Sequence, residues 1–137
     1  MQKVLWIDTE TTGLKSVRHG IVQAAFIVEI GGEGGDKRNF LMNPLVIPGK
    51  EFEAETAKTH GMSEEEVRNL PPAPEVKKEI KDFLIQYVDP YNRADKFTPA
   101  GFNVGFDIDF LYGLWKDCGD EFFFSLVGGG GDVDIHK

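Results

Sequence analysis

The sequence predicts a mixed α/β sandwich built on one central sheet. Three observations lead there: two apolar runs near the N-terminus, "VLWI" and "IVQAAFIVEI"; one amphipathic helix after Pro74; and a length of 137 residues, 41% of them hydrophobic. Strands that are apolar on both faces belong in the middle of a covered sheet. That length suffices for one core and is short for two, so residues 1–137 read as a single domain. Strands followed by alternating helices and strands then give a layered α/β architecture.

Residues 2 to 8 form the first strand, with Val4 and Trp6 on one face and Leu5 and Ile7 on the other. Ile21 to Ile30 form the second, followed by "GGEGGDK", which reads as a Gly-rich turn. "RNFLMNPLVIP" reads as a third, shorter strand, and the three are expected to be antiparallel neighbours joined by hairpin-like turns. Between Glu51 and Leu70 the pattern is helical and short. Ser63 before Glu64, Glu65 and Glu66 marks a helix start whose acids complement the helix dipole. "PPAP" then punctuates the chain. After Pro74, Val76, Ile80, Phe83, Leu84 and Tyr87 recur at helical spacing, while Glu75, Lys77, Lys78, Glu79, Lys81 and Asp82 fill the other side. "KFTPAGFN" reads as a short strand and "VGFDIDFLYGLWKDCG" as a second long helix. The glycines Gly128 to Gly131 read as a flexible loop, and "DVDI" as the start of a last strand.

The formal net charge of −8, from 23 acidic against 15 basic residues, argues against a protein whose main task is coating phosphate backbones. It leaves room for an enzyme that grips a few nucleotides through metal ions. The single cysteine, Cys118, cannot close an internal disulfide and fits a reducing compartment, where it serves as a small apolar residue. No apolar run reaches the length of a signal-peptide core or a membrane span, so a soluble, cytoplasmic protein with no membrane partner is expected. The runs "GGEGG" and "GGGG" lack both the G-x-G-x-x-G spacing and the P-loop pattern, which sets a nucleotide-cofactor fold aside.

The chemistry begins at "WIDTETTGL". In a strand, residues i and i+2 share a face, so Asp8 and Glu10 project together, roughly 7 Å apart, and extend the face of Val4 and Trp6. Two carboxylates brought near an interior raise a pKa or cost several kcal/mol, and a divalent cation is the usual remedy. The plain alternative is a strand end that has emerged into water before the turn "TTGL". Asp107 adds to the first reading. At 100° per residue, Phe110, Leu111 and Leu114 lie within about 60° of it, so Asp107 sits on the apolar stripe of its helix while Asp109 points nearly opposite. It is either a helix-start acid satisfied by the dipole or the third carboxylate of a cluster able to hold hard metal ions.

"IDTETTGL" closely resembles the first motif of the DnaQ-like 3′-5′ exonucleases, the DEDD group that includes polymerase proofreading subunits. "FNVGFDIDFL" resembles their second motif, whose acid follows a Phe and maps to Asp107 after Phe106. "THGMSEEEV" resembles the family's His-Gly segment, which helps bind the terminal nucleotide and carries over to Thr59 and His60. The resemblance implies an RNase H-like fold: a central mixed five-stranded sheet, order 3-2-1-4-5, with helices on both faces. It also implies release of nucleoside monophosphates from nucleic-acid 3′ ends by two divalent ions, Mg²⁺ or Mn²⁺. Asp8 would bridge both metals, Glu10 would ligate one, and Asp107 would hold the cluster directly or through water. Thr9, Thr11, Thr12 and Gly13 would contact the terminal nucleotide, with Leu14 wedged against a base. Phe102, Asn103 and Phe106 would line the pocket, although many members have His at the position of Phe102. Read without the resemblance, His60 is a surface or loop histidine and the aromatics are core packing. A DNA or RNA 3′ end is the implied partner, with a DNA polymerase as a further one.

The family's third motif supplies a general-base His or Tyr and a final Asp. Here "DVDIHK" resembles the passage that precedes it, and His136 reads as structural or incidental. The expectation is an exonuclease-like domain incomplete at its C-terminus, with little activity as it stands. The alternative is an inactive nucleic-acid-binding or protein-interaction module that retains the fold.

Overall fold

Two glycines set the first half of the sheet. In the computed structural model, which describes residues 1–128 and the backbone of 133–134, β1 (Lys3–Thr11) pairs antiparallel with β2 (Ile21–Ile30). β2 then returns into β3 (Glu33–Leu41) through Gly31 and Gly32 alone. Their φ values of 59° and 86° lie in the left-handed region that a two-residue hairpin loop demands. The Gly-rich stretch is therefore mostly strand, with Ile30 paired to Glu33, and the third strand starts earlier than its apolar residues suggest. It also ends earlier: Asn43 accepts from the Leu45 N–H and caps a 3₁₀ turn at Pro44–Val46, where the sequence reads as strand.

Four helices follow the expected punctuation. α1 (Ala57–His60) is a single turn closed by Gly61 in the left-handed conformation. α2 (Glu64–Arg68) starts at Ser63 with a capping box: the Ser63 hydroxyl accepts from the Glu66 N–H, and the Glu66 carboxylate accepts from the Ser63 N–H. α3 (Ala73–Leu84) buries Val76, Ile80, Phe83 and Leu84, as its spacing predicts, and α4 (Val104–Asp117) buries Asp107, Phe110, Leu111 and Leu114. Between these two helices β4 (Thr98–Gly101) lies parallel to β1, and β5 (Val133–Asp134) lies parallel to β4. The sheet order is β3-β2-β1-β4-β5, the expected one. Gly129 to Gly131 and His136 lie outside the described residues.

Strand parity decides what the helices cover. Leu5, Ile7 and Thr9 of β1 face the same way as their partners Val28, Phe26 and Ala24 in β2, and all of these are buried. α3 packs here through Phe83, whose ring lies 6.4 Å from that of Phe26, and α4 packs here through Leu111 and Trp115, buried in the same core. Of the helices expected on both faces, the described residues place the two long ones on this one. The opposite face carries Trp6, Asp8 and Glu10 with Gln23, Ala25 and Ile27 beside them, and it is partly open. Trp6 keeps its indole N–H satisfied there by donating to Glu29 at 3.3 Å. No helix among the described residues is long and apolar enough to cross a membrane.

Candidate active site

The site forms where the central strand ends. Asp8 and Glu10 lie near the C-terminal end of β1 and project to the open face, so the strand parity read from sequence holds. The expectation of an inward pair does not: Asp8 is exposed and Glu10 half-buried. Burial in the helix-covered layer would have cost both carboxylates their hydration, and the strand's phase turns them away from it. The buried acid is Asp107, 4% exposed at the start of α4.

Asp107 reaches β1 from the other side of the sheet. Its Oδ1 accepts from the backbone N–H of Thr9 at 3.2 Å and from the Thr9 hydroxyl. Thr9 stands between Asp8 and Glu10 in sequence and faces the helices, so the three acids converge on one strand end from two faces. The carboxylate is thus tied to β1 while also standing in the first turn of its own helix, where the dipole favours it. Burial pushes the Asp107 carboxyl up to about 6, the two Thr9 bonds oppose this, and the charges of Asp8 and Glu10 push the same way as burial. Glu10 is raised too, by burial and then by Asp8. Among the described residues no three His, Cys, Asp or Glu side chains already stand close enough to enclose a metal ion.

The "TTGL" turn is held from behind. The Thr11 hydroxyl donates to the Gly13 carbonyl at 2.6 Å. Thr12 is fully buried: its N–H donates to the Gly20 carbonyl at 2.9 Å, its hydroxyl donates to the Glu51 carbonyl at 2.7 Å, and its own carbonyl accepts from the Glu53 N–H at 2.8 Å. Thr12 is thus committed to the turn's frame. Leu14, 69% exposed, stands out from it.

Phe102, Asn103 and Phe106 surround the entry to α4. Asn103 adopts a left-handed φ of 52° before the first helical residue, a conformation Asn tolerates better than most. Phe102 is 58% exposed and lines a hollow of about 350 Å³ with Trp6, Asp8, Ala25, Ile27 and Gly101. Phe106 is half-buried, its ring 4.8 Å from Phe110. Thr59 and His60 lie on α1, which packs near β1. The His60 ring accepts from the Met62 N–H at 3.1 Å, meets Phe52 edge-on, and leaves Nε2 buried with no partner among the described residues, while burial lowers its pKa.

Sequence reasoning missed two residues that shape this site, His19 and Gly101, and one contact of a third. Thr9 is named from the sequence for nucleotide contact, and the structure adds that it anchors Asp107. His19, buried behind Gly13, carries no sequence signal that marks it out. Gly101 was missed as well. A Cβ there would stand 2.6 Å from the Ile7 carbonyl oxygen, so only glycine lets β4 and the turn into α4 approach β1 this closely.

A mixed sheet of this order, with a parallel fourth strand beside the central one and two long helices packed on one face, is an RNase H-like fold. The sequence signature of the exonuclease family RNase T matches residues 5–101, and the chain belongs to that family, the DnaQ-like group its first motif resembles. Among solved structures, E. coli exonuclease I in complex with a dT13 oligonucleotide is similar over 98% of this chain and 27% of that one, at 16% identity and a TM-score of 0.72. The zinc-bound form of the E. coli exonuclease I complex with single-stranded DNA matches over 98% and 28%, at 15% identity and a TM-score of 0.72. Exonuclease I from Methylocaldum szegediense matches over 98% and 27%, at 16% identity and a TM-score of 0.73. The chain spans less than a third of these proteins. No curated protein matches its sequence.

Proposed function

We propose that this chain carries the metal-binding part of a 3′-5′ exonuclease site, acting on the terminal phosphodiester of a nucleic-acid strand to release a nucleoside monophosphate. Asp8, Glu10 and Asp107 are the residues assigned to two divalent ions, Mg²⁺ or Mn²⁺. The donor set fits: three carboxylates are hard oxygen ligands. The observation that supports the reading is their placement: Asp107 is tied to Thr9, the residue between Asp8 and Glu10 at the end of β1, and burial raises the carboxyls of Asp107 and Glu10. A cation is what such a group of acids stabilises best.

Bound ions would supply charge stabilisation for the attacking and leaving oxygens of an in-line displacement. The chain's own residues do the rest. Thr9 fixes Asp107 through Oδ1, so Oδ2 is the oxygen assigned to the ions. The Thr11–Leu14 turn presents Gly13 and Leu14 to the terminal nucleotide. Phe102 offers an exposed face for stacking beside Asp8. The net charge of −8 fits binding that is local to the strand end and bridged by metal rather than spread along the backbone. The similar exonuclease I complex with a dT13 oligonucleotide supports single-stranded DNA as the substrate to try first.

A second reading is a fold-retaining module that binds nucleic acid without cutting it. The observation that favours it is that no metal-enclosing trio is gathered among the described residues. A 5′-labelled oligo(dT) incubated with the chain and Mn²⁺ separates the two. A ladder shortening from the 3′ end supports the exonuclease. Mn²⁺-dependent binding with no shortening supports the module, and neither binding nor shortening refutes both.

A further inference from the structure

We propose that His19 is a positioning residue, which holds the Thr11–Leu14 turn in the shape that receives a 3′-terminal nucleotide. The inference rests on the 3′-end reading above and assigns a part in it to a residue outside the recognised motifs. His19 is 5% exposed, and its ring occupies the space a side chain at position 13 would need: a Cβ on Gly13 would stand 2.3 Å from the ring carbons. The ring is fixed on its other sides too. Nδ1 accepts from the Lys15 N–H at 3.1 Å, and the His19 N–H donates to the Lys15 carbonyl at 2.7 Å. Nδ1 is thereby taken, and Nε2 on the ring's other side lies 3.6 Å from the Glu53 carboxylate.

Glu53 closes the arrangement, because its backbone N–H also donates to the Thr12 carbonyl. One imidazole therefore braces Gly13 from behind, ties the Lys15 amide, and faces the residue that grips Thr12. Leu14 sits between the two braced positions and is the turn's exposed side chain. Without the ring, Gly13 to Lys15 would have to be ordered at each binding event, and affinity for the strand end would fall by that ordering.

The test measures binding of a fluorescent oligo(dT) with a free 3′-hydroxyl and of the same oligonucleotide blocked by a 3′-phosphate, with Ca²⁺ present to withhold turnover. The wild-type chain is expected to prefer the free end. His19→Ala is expected to lose that preference, by about tenfold, while Mn²⁺ affinity changes by no more than about twofold. His19→Asn restores an acceptor for the Lys15 N–H and is expected to recover much of the preference. Ile80→Ala, a remote core truncation, is expected to lower stability and keep it. If His19→Ala does not fold, Gly13→Ala takes its place, since it displaces the ring and leaves the histidine present. Full preference in His19→Ala or Gly13→Ala, or its loss in Ile80→Ala, overturns the proposal. No preference in the wild-type chain would instead refute the 3′-end reading on which it rests.

Discussion

Replacing Asp107 by Asn should stabilise the metal-free protein and disable the site. Asp107 is 4% exposed and its carboxyl is pushed from 3.8 to about 6. The folded state therefore binds more protons than the unfolded state between those values, and stability falls as pH rises from about 4 through about 6. At 1.36 kcal/mol per unit, the charged form costs the fold about 3 kcal/mol above pH 7 relative to an acid with an ordinary pKa. Asn keeps an oxygen that can accept from Thr9 and removes the charge. Urea denaturation in EDTA at pH 4 and pH 8 should show D107N more stable than wild type by about 1.5–3 kcal/mol at pH 8, with a difference near zero at pH 4. A variant that is less stable at pH 8, or whose gain is the same at both pH values, would refute the argument that desolvation and like charges dominate at this carboxylate.

The opposite sign is expected at Asp120. Burial there acts to raise the carboxyl, but Lys77 at 2.6 Å, the Phe122 N–H at 2.9 Å and Lys81 at 3.2 Å hold it at about 2. Its stabilisation is present above about pH 4 and lost as pH falls toward 2, so Asp120→Asn should cost about 2 kcal/mol at pH 7 and little at pH 2, read by urea denaturation. Gly101→Ala should cost more than about 2 kcal/mol, because its Cβ meets a backbone carbonyl that cannot step aside, and thermal melting should register a fall of several degrees. Ser63→Ala removes one half of the capping box and should cost about 1 kcal/mol, measured the same way.

Much of the fold was legible because it depends on local periodicity. The two-sided apolar run of β2 appears at the residues read from sequence, Ile21 to Ile30, and the helical spacing of α3 names its large buried apolar side chains, though Lys77, read on the polar side, is buried as well and Tyr87 lies past the helix end. Ser63 announces α2 by its chemistry alone. β3 was less legible because its side chains are mostly exposed and polar and its start is glycine. The pairing Ile30 to Glu33 depends on backbone geometry at Gly31 and Gly32 rather than on hydrophobicity. At the site, the period of two put Asp8 and Glu10 together, and the helix wheel picked Asp107 over Asp109. Which face was covered did not follow, since Val4 and Trp6 made the open face read as interior. The contacts of Thr9 with Asp107, 98 residues apart, and of His19 with Gly13 exist only once the sheet has formed.

Metal binding by the three acids is the central claim, and it can be read without turnover. Isothermal titration of Mn²⁺ into the wild-type chain and into Asp8→Ala tests it most directly. Asp8 is exposed, so the variant should fold with stability within about 0.5 kcal/mol of wild type. Saturable Mn²⁺ binding by the wild type, weakened tenfold or more in D8A, is the predicted result. Equal binding by the two proteins, or none by either, would contradict the assignment of Asp8, Glu10 and Asp107 to a shared metal site.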